Sequence, residues 1–185
     1  MKLLLVAQYL KLRRMSESNK GFTLAELLVV IVIIGILSAI AIPSMLSQAS
    51  KARAAEAKLN LSSINKAQQA YYLEEQKFAD QIGQLGLGID PDNEDANYQY
   101  TIRPIEGGSV AIATPTDPNA PIKAYAAGVG LAYQAGSRDK TTITAMCEAQ
   151  TDGQKLDESA ITLTPGQSSA GGGDISCSST TVAVK

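Results

Sequence analysis

Histidine is absent from this chain of 185 residues. Its absence removes the usual general base near neutral pH, the commonest metal ligand and the usual partner of a catalytic serine or cysteine, so an enzymatic reading has little to build on. No catalytic residue, metal or cofactor is expected. Concentrated positive charge is missing too. The net charge is −2, and residues 1–21 hold Lys2, Lys11, Arg13, Arg14 and Lys20 against Glu17 alone, so the rest of the chain is its acidic part. Neutralising phosphates requires a basic stripe, and the scattered cations beyond residue 21 do not make one, so no nucleic-acid site is indicated. Cysteine is scarce, with only Cys147 and Cys177, both far beyond the apolar segment. In a domain translocated to an oxidising compartment, a single disulfide is their simplest use.

Apolar residues make up 45% of the chain but are not spread evenly, because Phe22 to Ile42 is almost unbroken Leu, Val, Ile and Ala. As a helix this run spans about 32 Å, the hydrocarbon thickness of a bilayer. The basic residues lie just before it, and positive charge stays cytoplasmic, which places the N-terminus inside and the bulk outside. Ala39-Ile40-Ala41 offers an A-x-A cleavage site, but the run exceeds the about 7–15 residues of a secretory signal core and contains Glu26.

Helical signals continue past Pro43. The stretch 44–76 is rich in Ala, Leu, Lys, Glu and Gln, and Ala57, Leu61, Ile64, Ala67 and Tyr71 recur at helical spacing, lining one apolar face. Pro43 should kink this helix rather than end it, with Gly35 a second weak point. A helix from about residue 23 to 76 is on the order of 80 Å long, far more than one small core needs. Residues 78–96 are dense in Gly, Asp and Asn and read as a loop. From about 97 to 148 alternating stretches around Tyr98, Val110, Tyr125 and Ile143 read as three or four antiparallel strands covering the apolar helix face. The Tyr residues belong mainly to that core. The tail from Glu148 reads as polar and loop-like, with GQSSAGGGD as a spacer and TTVAV as a last strand. The expected fold class is α+β, with a long N-terminal helix packed by its second half on a small antiparallel sheet and a disulfide-closed C-terminal region.

Gly21-Phe22-Thr23-Leu24-Ala25-Glu26-Leu27 leads directly into the apolar run. Glycine before a scissile bond imposes no side-chain bulk. Glu26, one helical turn inside, costs about 3 kcal/mol if centrally buried in a bilayer and needs a partner. KGFTLAELLVVIVIIGILSAIAIPS resembles the prepilin signature of type IV pilins and type II secretion pseudopilins. The resemblance implies removal of a leader, residues 1–21, by a membrane prepilin peptidase that cuts between Gly21 and Phe22 and methylates Phe22. It implies that Glu26 pairs with the new amino terminus of a neighbouring subunit and sets the register of a helical homopolymer. It also implies a cytoplasmic assembly ATPase, a platform protein and an outer-membrane secretin as partners, with the bilayer as host before assembly. The expected organisation is then leader 1–21, transmembrane and filament-core helix 22–43, and an outer domain 44–185 with its tail bounded by Cys147 and Cys177. Met15 offers a second start and a shorter leader. SQASKARAAEAK, KAQQAYYLEE and KAYAAGVG are similar to stretches of cyanobacterial major pilins. A secretion pseudopilin or minor pilin, and a single-pass binding protein that never polymerises, are the alternative readings.

Three constellations fail their templates. Asp90, Asp92, Asn93, Glu94 and Asp95 are acidic enough for Ca²⁺, but an EF-hand wants Gly where Asp95 stands and an acidic ligand where Thr101 stands. GQSSAGGG lacks the Gly-Lys-Ser/Thr ending of a phosphate loop. Asn60-Leu61-Ser62 matches the N-glycosylation triplet but falls inside predicted helix.

Overall fold

In the computed structural model of the chain, the described residues are 21–91, 93, 96–133, 140–164 and 173–184. The expected leader with Met15, the acidic residues Asp92, Glu94 and Asp95, and most of the GQSSAGGGD spacer lie outside them. The chain divides into two compact units, Met1–Leu46 and Ser47–Lys185. One helix, α1, runs Leu24–Glu75 with Pro43 inside it, so proline does not end it, as the flanking helix formers predict.

Within the first unit, the helix is long and apolar enough to cross a membrane, and its most apolar stretch buries none of its residues. Large side chains from Leu24 to Leu46 are exposed all around it, including Ile31, Leu37 and Ile40. An apolar helix without a polar face needs lipid or other helices as its surroundings.

Within the second unit, the described strands form a sheet of order β1-β2-β3-β4-β7 and a separate pair, β5 and β6. The strands are β1 Tyr98–Ile105, β2 Gly108–Pro115, β3 Tyr125–Tyr133, β4 Lys140–Ala149, β5 Ile161–Thr164, β6 Asp174–Cys177 and β7 Thr181–Ala183, and all pairings are antiparallel. The turn from β1 to β2 takes Gly107 at φ 75°, a left-handed conformation that glycine adopts without cost. Pro104, which has no N–H to give a ladder, lies on β1, an edge strand. The helix-facing side packs Ala57, Leu61 and Ile64 of α1 against Tyr98, Tyr100, Ile102, Ala111, Ala113, Tyr125 and Ala127. Large and small alternate across it, since Ala113 stands opposite Tyr100 on one side and Tyr125 on the other. Burying Leu61 and Ile64 completely stabilises by about 1.5–3 kcal/mol each.

The reading of the tail needs correction. Residues beyond Glu148 do not merely loop: β5 and β6 pair over the other face of the sheet, where Val110, Ile112, Ala126 and Cys147 meet Ala160 and Ile161. The sheet makes room with glycine. A Cβ on Gly128 would lie 2.8 Å from Ile175 Cδ1 and 2.9 Å from Ile161 Cγ2, and one on Gly130 would lie 2.5 Å from Leu163 Cδ2. The last strand, expected in TTVAV, is β7 on β4.

Candidate processing and assembly site

Gly21, Phe22 and Thr23 are exposed and outside the helix, which opens at Leu24. The helix starts there because Thr23 and Glu26 cap it reciprocally. The Glu26 N–H donates to Thr23 Oγ1 at 3.2 Å, while the Thr23 N–H and hydroxyl donate to Glu26 Oε2 at 2.8 and 2.9 Å. This is a capping box, and the Thr23 cap is worth about 1 kcal/mol. The carboxylate therefore has two donors within its own chain. Thr-x-x-Glu is a sequence-level signal for this arrangement, which a reading guided by charge and hydropathy passes over. Glu26 is the one ionisable residue between Phe22 and Ser50.

Along the same helix, a Cβ on Gly35 would meet no heavy atom within 4 Å, and Ala39 lies one turn further on. Small residues four apart let a neighbouring backbone approach closely. Pro43 supplies no N–H to the carbonyl of Ala39, one turn earlier.

In the second unit, Cys147 and Cys177 are bonded, joining β4 to β6 with Cα atoms 5.7 Å apart. Next to Cys147, Glu148 ties three segments together. It receives Lys123 Nζ at 2.8 Å and Lys58 Nζ of α1 at 3.5 Å, and Lys58 also lies 5.0 Å over the Tyr125 ring. Burial pushes the Glu148 carboxyl up, but the hydrogen bond and charge of Lys123, then those of Lys58, outweigh it and hold the group below the usual carboxylate range. Burial is also the main reason that Tyr125 is pushed up to about 12, with Glu148 and Asp152 adding to it.

The buried face of α1 differs from the predicted one. Ala57, Leu61 and Ile64 are in the core, yet Ala67 is only half-buried, and Asn65 and Gln68 are buried instead. Hydropathy spacing cannot find a buried amide, because what qualifies Gln68 for the interior is the backbone of Ala79. Its Oε1 accepts the Ala79 N–H and its Nε2 donates to the Ala79 carbonyl, each at 2.9 Å. Asn60, of the glycosylation triplet, lies in the helix as expected and donates to the Tyr100 hydroxyl at 2.9 Å. Among the described residues, no group of three acidic or cysteine side chains is placed to hold a metal ion.

An apolar, uncovered helix half behind a capped start, carried on a chain whose other unit lays α1 against an antiparallel sheet, defines an α+β protein of the pilin kind. Comparison with known proteins makes this specific. The prokaryotic N-terminal methylation motif matches residues 18–42, and the family described as type IV pilin-like G and H matches residues 54–178, more than half of the chain. The chain belongs to this type IV pilin-like family. It is 34% identical over 98 residues to the type IV major pilin protein PilA of Myxococcus xanthus (strain DK1622), covering 53% of this chain and 43% of that one. It is 33% identical over 96 residues to the type IV major pilin protein PilE1 of Neisseria gonorrhoeae, covering 52% and 53%. The chain thus spans about half the length of the curated relatives it matches. No solved structure matches it.

Proposed function

We propose that this chain is the precursor of a structural subunit of a type IV pilus. The observation that carries the reading is the exposed apolar half of α1 with a single carboxylate in its first turn, most of that half within the matched methylation motif of residues 18–42. In the proposed sequence of events the peptidase cuts between Gly21 and Phe22 and methylates Phe22. The helix rests in the inner membrane with its N-terminus inside, and the outer domain folds and forms its disulfide outside. A platform protein, driven by a cytoplasmic ATPase, then draws the subunit into a homopolymer that leaves through an outer-membrane secretin. Apolar helices gain little by leaving lipid for one another, so packing at Gly35 and Ala39, a bend at Pro43 and the pairing of Glu26 with a neighbour's amine supply selectivity. No catalysis by the chain itself is called for.

The test is direct. Intact-mass and N-terminal peptide spectrometry of the protein from sheared surface filaments should find methylated Phe22 as the first residue. Glu26→Ala should leave the subunit in the membrane fraction at normal levels and remove it from the sheared fraction. A filament built from chains that retain residues 1–21, or one that forms normally with Glu26→Ala, would refute the reading. A secretion pseudopilin would be processed in the same way but would be nearly missing from sheared filaments.

A further inference from the structure

In the second unit, α1 lies against a sheet face of repeating relief, on which the large side chains are Tyr98, Tyr100, Ile102 and Tyr125. Ala111, Ala113 and Ala127 are its small side chains there, all buried. Helices choose their positions by fitting ridges into grooves, and here the grooves over alanine recur every second residue of a strand, about 6.6 Å apart, close to the about 5.4 Å of a helical turn. Apolar packing on such a surface distinguishes poorly between one helix position and the next turn along.

Two buried amides interrupt this apolar contact, and they differ in kind. Gln68, 1% exposed, is fully used: both of its polar atoms serve Ala79, and its Nε2 also reaches the Ser109 hydroxyl at 3.2 Å. Replacing it would orphan backbone groups of Ala79, so Gln68 stabilises the domain. Asn65, 6% exposed, is half-used. Its Nδ2 donates to the Gly128 carbonyl at 3.1 Å, while its Oδ1 is buried without a hydrogen-bond partner. Gly128 lies in the middle of β3, between β2 and β4, where its carbonyl is a fixed landmark. A buried acceptor without a donor costs about what its companion bond returns, so Asn65 brings little net stability. An apolar side chain in its place, flanked in the same buried stripe by Leu61 and Ile64, would do at least as well.

We propose that Asn65 is a positioning residue that fixes the register of α1 on the sheet. Its bond to Gly128 exists at one helix position and is lost at the neighbouring one, where both the amide and its oxygen would be buried without partners. One hydrogen bond present in one register and missing from the other biases the two by about fivefold, and the second orphaned group widens the bias. Elsewhere, a single buried Asn fixes the register of coiled coils by the same asymmetry.

The structure provides its own reporter. Glu148 contacts Lys58 on α1 and Lys123, which lies on the segment preceding β3. A slip of one turn displaces Lys58 by about 5.4 Å and leaves Lys123 in place. Zero-length carbodiimide coupling of the full chain in detergent micelles, followed by peptide mass spectrometry, gives the ratio of Lys58–Glu148 to Lys123–Glu148 cross-links. For Asn65→Leu the expected result is a melting temperature at or above that of the parent together with a ratio about half that of the parent, since two registers of equal weight leave Lys58 in reach in only one of them. Leu61→Met, a change of similar volume one turn earlier, should leave the ratio where it was. The proposal is overturned if Asn65→Leu keeps the parent ratio, if Leu61→Met lowers it equally, or if Asn65→Leu melts early or fails to fold, since Asn65 would then be an ordinary stabilising contact. The ratio is read without filaments, so it stands or falls separately from the pilus reading.

Discussion

Gly108 opens β2, opposite Ile105 on one side and Gly130 on the other. A methyl group there would run into the carbonyl oxygen of Val129 and Cδ1 of Leu163, and would lie 3.1 Å from the Cα of Gly130. Leu163 can rotate its terminal methyl away. The carbonyl belongs to β3, paired on both sides, and moves only if the sheet moves. Overpacking costs about 1–3 kcal/mol, and a backbone obstacle puts Gly108→Ala at the upper end, about 3 kcal/mol. At about 2–4 °C per kcal/mol for a chain of this size, the melting temperature should fall by about 6–12 °C. The assay is thermal unfolding of the full chain in detergent, followed by the circular dichroism of its sheet. Gly35→Ala is the control, since nothing lies within 4 Å of its added methyl. Alanine is favoured over glycine in a helix by about 1 kcal/mol, so this variant should not melt early. The reasoning is refuted if Gly108→Ala melts within about 2 °C of the parent, or if both variants fall alike.

Burial and the nearby carboxylates raise Tyr125 from 10.0 to about 12, and burial raises Tyr98 further. The folded state thus holds phenol protons that the unfolded state releases, so stability is complete below pH 10 and declines as pH rises from 10 towards 12. Tyrosinate absorbance and circular dichroism should change together across that window; tyrosinate forming near pH 10 with the sheet intact would contradict it. Removing the disulfide with Cys147→Ser and Cys177→Ser frees a loop of separation 30 in the unfolded chain and should cost about 3–4 kcal/mol. A shift of the urea midpoint equivalent to less than about 1 kcal/mol would show that loop closure is not what the bridge contributes.

What the sequence revealed and what it hid follow from the range of the interactions involved. The course of α1 through Pro43 was legible because helix formers stand on both sides, and the first four strands because Tyr98, Tyr100 and Ile102, among others, alternate with period two. The β5–β6 pair was not. Thr162 and Ser176 make its exposed side polar, and the apolar side consists of a few residues whose meaning lies in a distant glycine: Leu163 fits because Gly130 has no side chain, and Ile161 because Gly128 has none. Pattern within the tail cannot report the space left by a glycine 33 residues upstream. Asn65 and Gln68 were hidden for a related reason, since hydropathy treats an amide as a surface residue, whereas their partners are the backbones of Gly128 and Ala79. At the candidate processing site the opposite holds. Gly21, Phe22 and Glu26 lie within six consecutive residues, and the motif that they belong to is read from a contiguous stretch.

That locality bears on how Glu26 serves the proposed assembly. If a neighbour's amine were the only partner for this carboxylate, the isolated subunit would carry an unpaired charge into the bilayer before any neighbour is present. The capping box removes the difficulty, because Thr23 offers its N–H and its hydroxyl from the same chain. Satisfying the carboxylate for residence in the membrane is then separate from rewarding it for assembly. What a second subunit adds is a full positive charge, so that both members of the pair are ionised, whereas in the Thr23 bonds only the carboxylate is. On the proposed reading, therefore, Thr23 makes the waiting state tolerable, while the difference between neutral and charged donors drives exchange to the neighbour. A subunit designed on charge pairing alone would need to find its partner at the moment of insertion; this one can wait.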